Sequence, residues 1–224
     1  MIVRIKGDII PNDYKPIYDW LGWESTAPSD VDAAISQMEK GDKLQVKINS
    51  GGGSVSAGQE IYSVLRDRND VEIEIEGLAA SAASVIAMAG PCTISPVGTI
   101  MIHNVSVGGM SGNKNDMKKM ASTLNVYDEC LANAYVAKTG QDKDTILNWM
   151  DKETWLSAER AIELGFVDGI TPAGADAPTD ALVGLKLTDE LIEKFNAHKR
   201  AEEEKATLKN EILSGLENFG KVGI

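Results

Sequence analysis

Between Ile2 and Ile170 the apolar residues change period repeatedly, from every second residue to every third or fourth and back, and this alternation restricts the fold more than any other feature of the chain. I-V-R-I-K-G-D-I, L-Q-V-K-I-N and V-E-I-E-I-E alternate as strands do, as does a shorter run near Cys92–Ser95 and another across T-I-M-I-H-N-V. Between them lie helical patterns. One is capped at Ser29, carries Val31, Ile35 and Met38 on one face and stops at Gly41; a second spans Ser54–Arg66 and buries Ile61, Val64 and Leu65; a third is the alanine-rich segment 80–89. Strands that alternate with helices of this length predict an α/β fold with a mainly parallel sheet and crossover helices. A long helix is predicted over 115–138, where Met117, Met120, Leu124, Tyr127, Leu131 and Ala134 form a stripe that wants a partner. Ser157 caps a short helix ending at Gly165, and F-V-D-G-I closes the compact part as a last strand. Residues 14–28, with Trp20 and Trp23, read as aromatic-rich and irregular.

The predicted organisation is a domain over 1–171, a linker over 172–187 that opens with P-A-G-A-D-A-P-T-D-A, and a charged helical extension over 188–224. The linker is expected to be mobile. The net charge of −12, with basic residues only in pairs such as Lys118–Lys119 and Lys199–Arg200, argues against nucleic acid and anionic membranes as partners. No apolar run is long enough to span a bilayer, and Arg4 and Lys6 break the first one, so the expected location is the cytoplasm. The two cysteines, Cys92 and Cys130, lack metal-ligand spacing and read as buried thiols; neither a metal nor a cofactor is expected.

Where chemistry could reside is narrowed by the scarcity of histidine. His198 sits among charged residues of the extension, while His103 lies in an apolar strand, where a core role is the ordinary one. The segment G-L-A-A-S-A-A-S-V-I-A-M-A-G, Gly77 to Gly90, puts Ser81 at a strand-to-helix junction, where a nucleophile has its oxygen exposed and backbone amides nearby. Ala79, Ala80, Ala82 and Ala83 leave room for a substrate carbonyl to approach within about 3 Å of those groups. Tight helix packing accounts for the same small residues equally well. The turn N-S-G-G-G-S-V can supply a further oxyanion donor, whereas the phosphate-loop, dinucleotide and G-x-S-x-G patterns are absent.

Five segments settle the choice: I-N-S-G-G-G-S-V-S-A-G, G-L-A-A-S-A-A-S-V-I-A-M-A-G, M-I-H-N, A-K-T-G-Q-D and W-L-S-A-E-R-A-I-E-L-G-F-V-D-G-I resemble, in order and spacing, the Clp protease proteolytic subunit (ClpP) family. The resemblance covers roughly residues 1–170 and implies the ClpP/crotonase-like β-α-β superhelical fold with a protruding handle helix, here followed by a C-terminal helical extension. It implies an ATP-dependent Clp-type serine endopeptidase family, acting on protein or peptide substrate from inside stacked homo-oligomeric rings. By position, Ser81 matches the nucleophile, His103 the general base, Gly53 and Ala82 the oxyanion-hole amides, and Gly108 and Gly109 the strand that pairs with substrate. Ser84 falls to packing.

Three departures qualify that resemblance. The position of the catalytic aspartate holds Glu153, which keeps a carboxylate for the imidazole, with Asp151 in reserve. The N-terminus is too short for the family's axial loops, which argues against docking of the usual AAA+ unfoldase. The segment 14–28 and the tail 172–224 are additions. Such departures resemble the ClpP-like head maturation proteases of phages and prophages, whose partners would be capsid or scaffold proteins. The competing readings are a housekeeping-type Clp subunit, a crotonase-like acyl-CoA enzyme and a noncatalytic ring subunit.

Overall fold

The computed structural model describes residues 1–172 and 188–219, and the chain divides into two compact units, 1–184 and 185–224. In the first unit a sheet is built from β1 (Ile2–Ile9), β2 (Ser25–Thr26), β3 (Leu44–Gly53), β4 (Val71–Ala80), β5 (Cys92–Ile94), β6 (Thr99–Ile102), β7 (Thr154–Ser157) and β8 (Gly169–Ile170). The order β2-β1-β3-β4-β5-β8 is parallel throughout. β4 is long enough to serve two neighbours. Its residues Ile73–Ile75 pair with β5, while Leu78–Ala80 pair with β6, which in turn meets β7 antiparallel.

The crossovers are α2 (Pro28–Ser36), α3 (Val55–Arg66) and α4 (Ala82–Ala87); α5 (Lys114–Thr139), α6 (Lys143–Asp151) and α7 (Ala158–Glu163) follow, and α1 (Lys15–Leu21) precedes them. The alternating residues of the central strands decide where the core lies. Ile5, Leu44, Val46, Ile48 and Ile75 are fully buried, with Ile61 and Leu65 of α3 and Ala83, Ile86 and Ala87 of α4 packed into the same cluster. Full burial of each large aliphatic side chain stabilises by about 1.5–3 kcal/mol. On the other face of β3 and β4, Lys47 pairs with Glu76 at 3.1 Å and with Glu74 at 3.5 Å. The alanines of α4 serve close packing as well as access: a Cβ on Gly58 of α3 would stand 2.9 Å from the Ala82 Cβ.

The parallel α/β architecture agrees with the expected fold class, and several local expectations shift. Residues 14–28 hold a helix, α1, entered through Pro16 and closed by left-handed Gly22. Helix α2 is capped two residues earlier than Ser29 implies, at Ala27, with Pro28 in its first turn and the Asp30 carboxylate accepting the Ala27 amide at 2.9 Å, and it ends at Ser36 rather than Gly41. The strand at 71–76 runs on to Ala80, which shortens the following helix to Ala82–Ala87. Cys130 is exposed, contrary to the expected buried thiol, because it lies on the outer side of α5; Cys92 is buried as expected.

Helix α5 carries both halves of its predicted stripe in different environments. Leu131 and Ala134 pack into the core of the same chain, whereas Met117 and Tyr127 are exposed, with Val126 beside them. The helix thus stands partly clear of the sheet. In the second unit, residues Asp189–Phe219 form the helix α8. Residues 173–187, which include most of the expected linker, lie outside the described residues, as do the side chains that would form the apolar face near Leu208–Leu216. No helix among the described residues is long and apolar enough to cross a membrane.

Candidate active site

At the point where β4 ends and α4 begins, Ser81 adopts φ 54° and ψ −125°. Among the described residues only Ser81 and Glu153 have positive φ without being glycine. A serine held there stores on the order of 1–3 kcal/mol of strain, which persists only where the surroundings over-determine it. They do so here. The Ser81 amide donates to Met101 O of β6 at 3.0 Å, and its carbonyl accepts from the Ser84 amide at 3.0 Å, the Val85 amide at 3.3 Å and the Ser84 hydroxyl at 2.7 Å.

Ser84 is therefore more than a small packing residue. Its hydroxyl also meets the Tyr135 hydroxyl of α5 at 2.8 Å, in a fully buried pair that ties the long helix to the serine turn. Burial raises the Tyr135 hydroxyl above the ordinary tyrosine range, so it stays a neutral donor. Ser84→Ala would leave the Tyr135 hydroxyl buried without that partner. The expected cost is about 1–3 kcal/mol of stability, read as a lower urea midpoint, with the Ser81 oxygen left free to react. An unchanged midpoint would show that the pair contributes nothing.

His103 follows directly on β6. The register Ala80↔Met101 sets the end of β6 beside the serine turn, and His103 Nε2 lies 2.8 Å from Ser81 Oγ. That distance suits transfer of the hydroxyl proton to the ring. Cys92 offers no rival nucleophile, because burial pushes its thiol up to about 12 and holds it protonated at neutral pH.

The glycines that end β3 press against the same place. A Cβ on Gly52 would fall 2.7 Å from Ala80 O, 2.7 Å from Ser81 Cβ and 3.0 Å from the Ala82 amide nitrogen. Gly53 is at φ +147°, in register with Ile9 of β1. Ala82 is the first residue of α4, where a backbone amide has no partner within its own helix. The structure thus brings Ser81, His103, Ala82 and the Gly52–Gly53 turn together. Gly108 and Gly109 lie in an open loop over 103–113, outside any strand, and no atom comes within 4 Å of a Cβ built on either.

Glu153 is placed differently from the other matched residues. The antiparallel register Ile102↔Thr154 sets its backbone across from His103, yet its carboxylate accepts the Trp155 indole N–H at 3.2 Å and is exposed. Asp151 accepts the side-chain amide of Asn104 at 2.6 Å. Neither carboxylate is hydrogen-bonded to the imidazole among the described residues. A third carboxylate, which sequence reasoning overlooked, is Asp128 of α5, 8% exposed, which accepts the Val105 amide at 2.6 Å.

Residues 33–173 match the family model described as Clp protease. The chain is 34% identical over 135 residues to ATP-dependent Clp protease proteolytic subunit 1 of Chlamydia muridarum, covering 58% of this chain and 70% of that one. It is 35% identical over 144 residues to the ATP-dependent Clp protease proteolytic subunit of Ligilactobacillus salivarius, covering 62% and 71%.

Proposed function

The chain belongs to the Clp protease family, and on that footing we propose that it is a serine endopeptidase whose nucleophile is Ser81 and whose general base is His103. The observation that carries the reading is the 2.8 Å approach of His103 Nε2 to the oxygen of a strained, multiply anchored serine. Ser81 Oγ attacks the peptide carbonyl carbon while its proton passes to His103 Nε2. The C–N bond then breaks as the imidazolium returns that proton to the departing amine. Water, deprotonated by His103, hydrolyses the resulting ester and restores the serine hydroxyl.

The negative oxygen of each tetrahedral intermediate is assigned to the amides of Gly53 and Ala82, since the glycine turn and the first residue of α4 flank the Ser81 side chain. Substrate backbone is assigned to the open segment containing Gly108 and Gly109, which directly follows the histidine. A fluorophosphonate probe tests the whole reading: the expected result is covalent labelling at Ser81 alone, and lack of labelling in a protein that cleaves peptides would exclude it. A crotonase-like enzyme or a noncatalytic ring subunit would also remain unlabelled.

Assembly into rings in the cytoplasm, joined through α5, is part of the same proposal. Its support is that Met117, Val126 and Tyr127 are exposed on a helix whose other end is built into the core. Met117→Glu with Tyr127→Glu places charges in that seam, where unpaired burial costs several kcal/mol. Native mass measurement should show smaller assemblies; an unaltered mass places the seam elsewhere.

For the natural role we propose head maturation, with capsid or scaffold protein as substrate; its support is that helix α1 and the charged helix α8 lie outside the residues, 33–173, that match the family model. The relatives' names make a housekeeping subunit the competing assignment. Cleavage of a capsid precursor without ATP supports maturation; processing only with an unfoldase and ATP supports the alternative.

A further inference from the structure

An imidazole that takes a proton at Nε2 needs an acceptor at Nδ1 to hold its tautomer and orientation. Three carboxylates lie on the segments that flank His103, and each holds one hydrogen bond away from the ring: Glu153 accepts the Trp155 indole, Asp151 the Asn104 amide and Asp128 the Val105 amide, so burial is what tells them apart. Glu153 and Asp151 are exposed, where water weakens their field at the ring. Asp128 is buried, and its hydrogen bond to the Val105 amide uses Oδ1 and leaves Oδ2.

We propose that Asp128, on the handle helix, is the positioning residue for His103, in the place that the family pattern gives to Glu153. This rests on the serine endopeptidase reading above. The backbone geometry favours it. Val105 lies two residues beyond His103, so the 2.6 Å bond from its amide clamps the chain just where it leaves the histidine. Asp128 and Tyr135 are seven residues apart on one face of α5. One helix thus holds the chain two residues beyond the base through Asp128 and the nucleophile turn through Tyr135 and Ser84.

The electrostatics agree with this placement. Burial lifts the Asp128 carboxyl above the usual carboxylate range and Asp151 of α6 adds to the rise, while the Val105 amide and His103 oppose it. The plain alternative is that Asp128 only anchors the loop through Val105.

Asp128→Asn separates the two roles, because an amide oxygen still accepts from Val105 but carries no charge. The expected result is a fall in kcat of about 10²–10⁴ with KM little changed, by the logic of a mis-held tautomer. The acid limb of kcat/KM should move to lower pH, since removing a negative charge beside the imidazole makes it easier to deprotonate. Glu153→Gln should lose less and leave that limb in place. A folded Asp128→Asn variant with full kcat and an unmoved limb overturns the proposal. If Asp128→Asn loses its helical signal, Glu153→Gln still decides: a large kcat loss with a shifted limb overturns the proposal, and a small loss with a fixed limb supports it. Failure of the probe to label wild-type Ser81 would remove the endopeptidase reading itself, whereas normal labelling with an unaffected Asp128→Asn removes only this inference.

Discussion

Ser81→Ala should lower kcat for a short fluorogenic peptide by on the order of 10⁶, and His103→Ala should lower it about as far, because a nucleophile and its base act as one unit. The double variant is then expected to be no worse than either single one. The structural basis is the single short contact between the two side chains, His103 Nε2 to Ser81 Oγ at 2.8 Å. Without the ring the hydroxyl keeps its proton; without the hydroxyl the ring has nothing to deprotonate. Neither change should unfold the chain. Removing the Ser81 hydroxyl leaves its amide bond to Met101 and the three bonds to its carbonyl intact. Assembly mass and urea midpoint should therefore match the parent. Additive losses in the double variant would mean that the two residues contribute separately, and the shared-proton chemistry would have to be abandoned.

How far the sequence reveals this arrangement depends on how local each signal is. The parallel sheet is legible because alternation at V-E-I-E-I-E and L-Q-V-K-I-N and the helical spacing between them are carried by neighbouring residues. Ser81 is legible only in part: alanines flanking a serine at a change of period suit tight packing as well as access, and it is the resemblance to the family that singles the residue out. Cap positions are less so. Helix α2 starts at Pro28 because Asp30 captures the Ala27 amide, a bond that competes with the cap implied by Ser29. Helix α1 is short and amid aromatic residues, where its Pro16 and Gly22 are the only usable marks.

The environment of His103 is hardest to read from sequence, since it depends on side chains far apart in the chain. Glu153 fits the pattern by position, but its carboxylate turns to the Trp155 indole at a residue with φ 50°. A signal for Asp128 does exist. It shares a helical face with Leu131, Ala132 and Tyr135, all buried, and an acid on the apolar face of a helix requires a partner. That partner is the Val105 amide, which no spacing rule points to.

Gly53→Ala should cost more stability than any other single-methyl addition near the serine turn. Its φ of +147° is one that L side chains rarely adopt, at a cost of on the order of 1–3 kcal/mol by itself. The methyl would also arrive 2.2 Å from Ile9 O and 2.8 Å from Ile9 N, atoms of the neighbouring backbone of β1 that have no rotamer by which to retreat. β1 is held on that side by the pairing Ile9↔Gly53 and by the Ser54 amide, which donates to Ile9 O at 2.7 Å. Relief therefore requires opening the β1–β3 ladder at its end, and the total should exceed about 4 kcal/mol, the range reserved for clashes and broken networks in a core. Because the same residue carries a proposed oxyanion amide, the fraction that still folds should also turn over slowly, by a further factor of about 10²–10³. Gly169→Ala, with no atom within 4 Å of its added methyl, is the control and should change the urea midpoint little. A Gly53→Ala protein with a parental midpoint would show that β1 yields at Ile9, and the glycine turn could not then be a rigid part of the site.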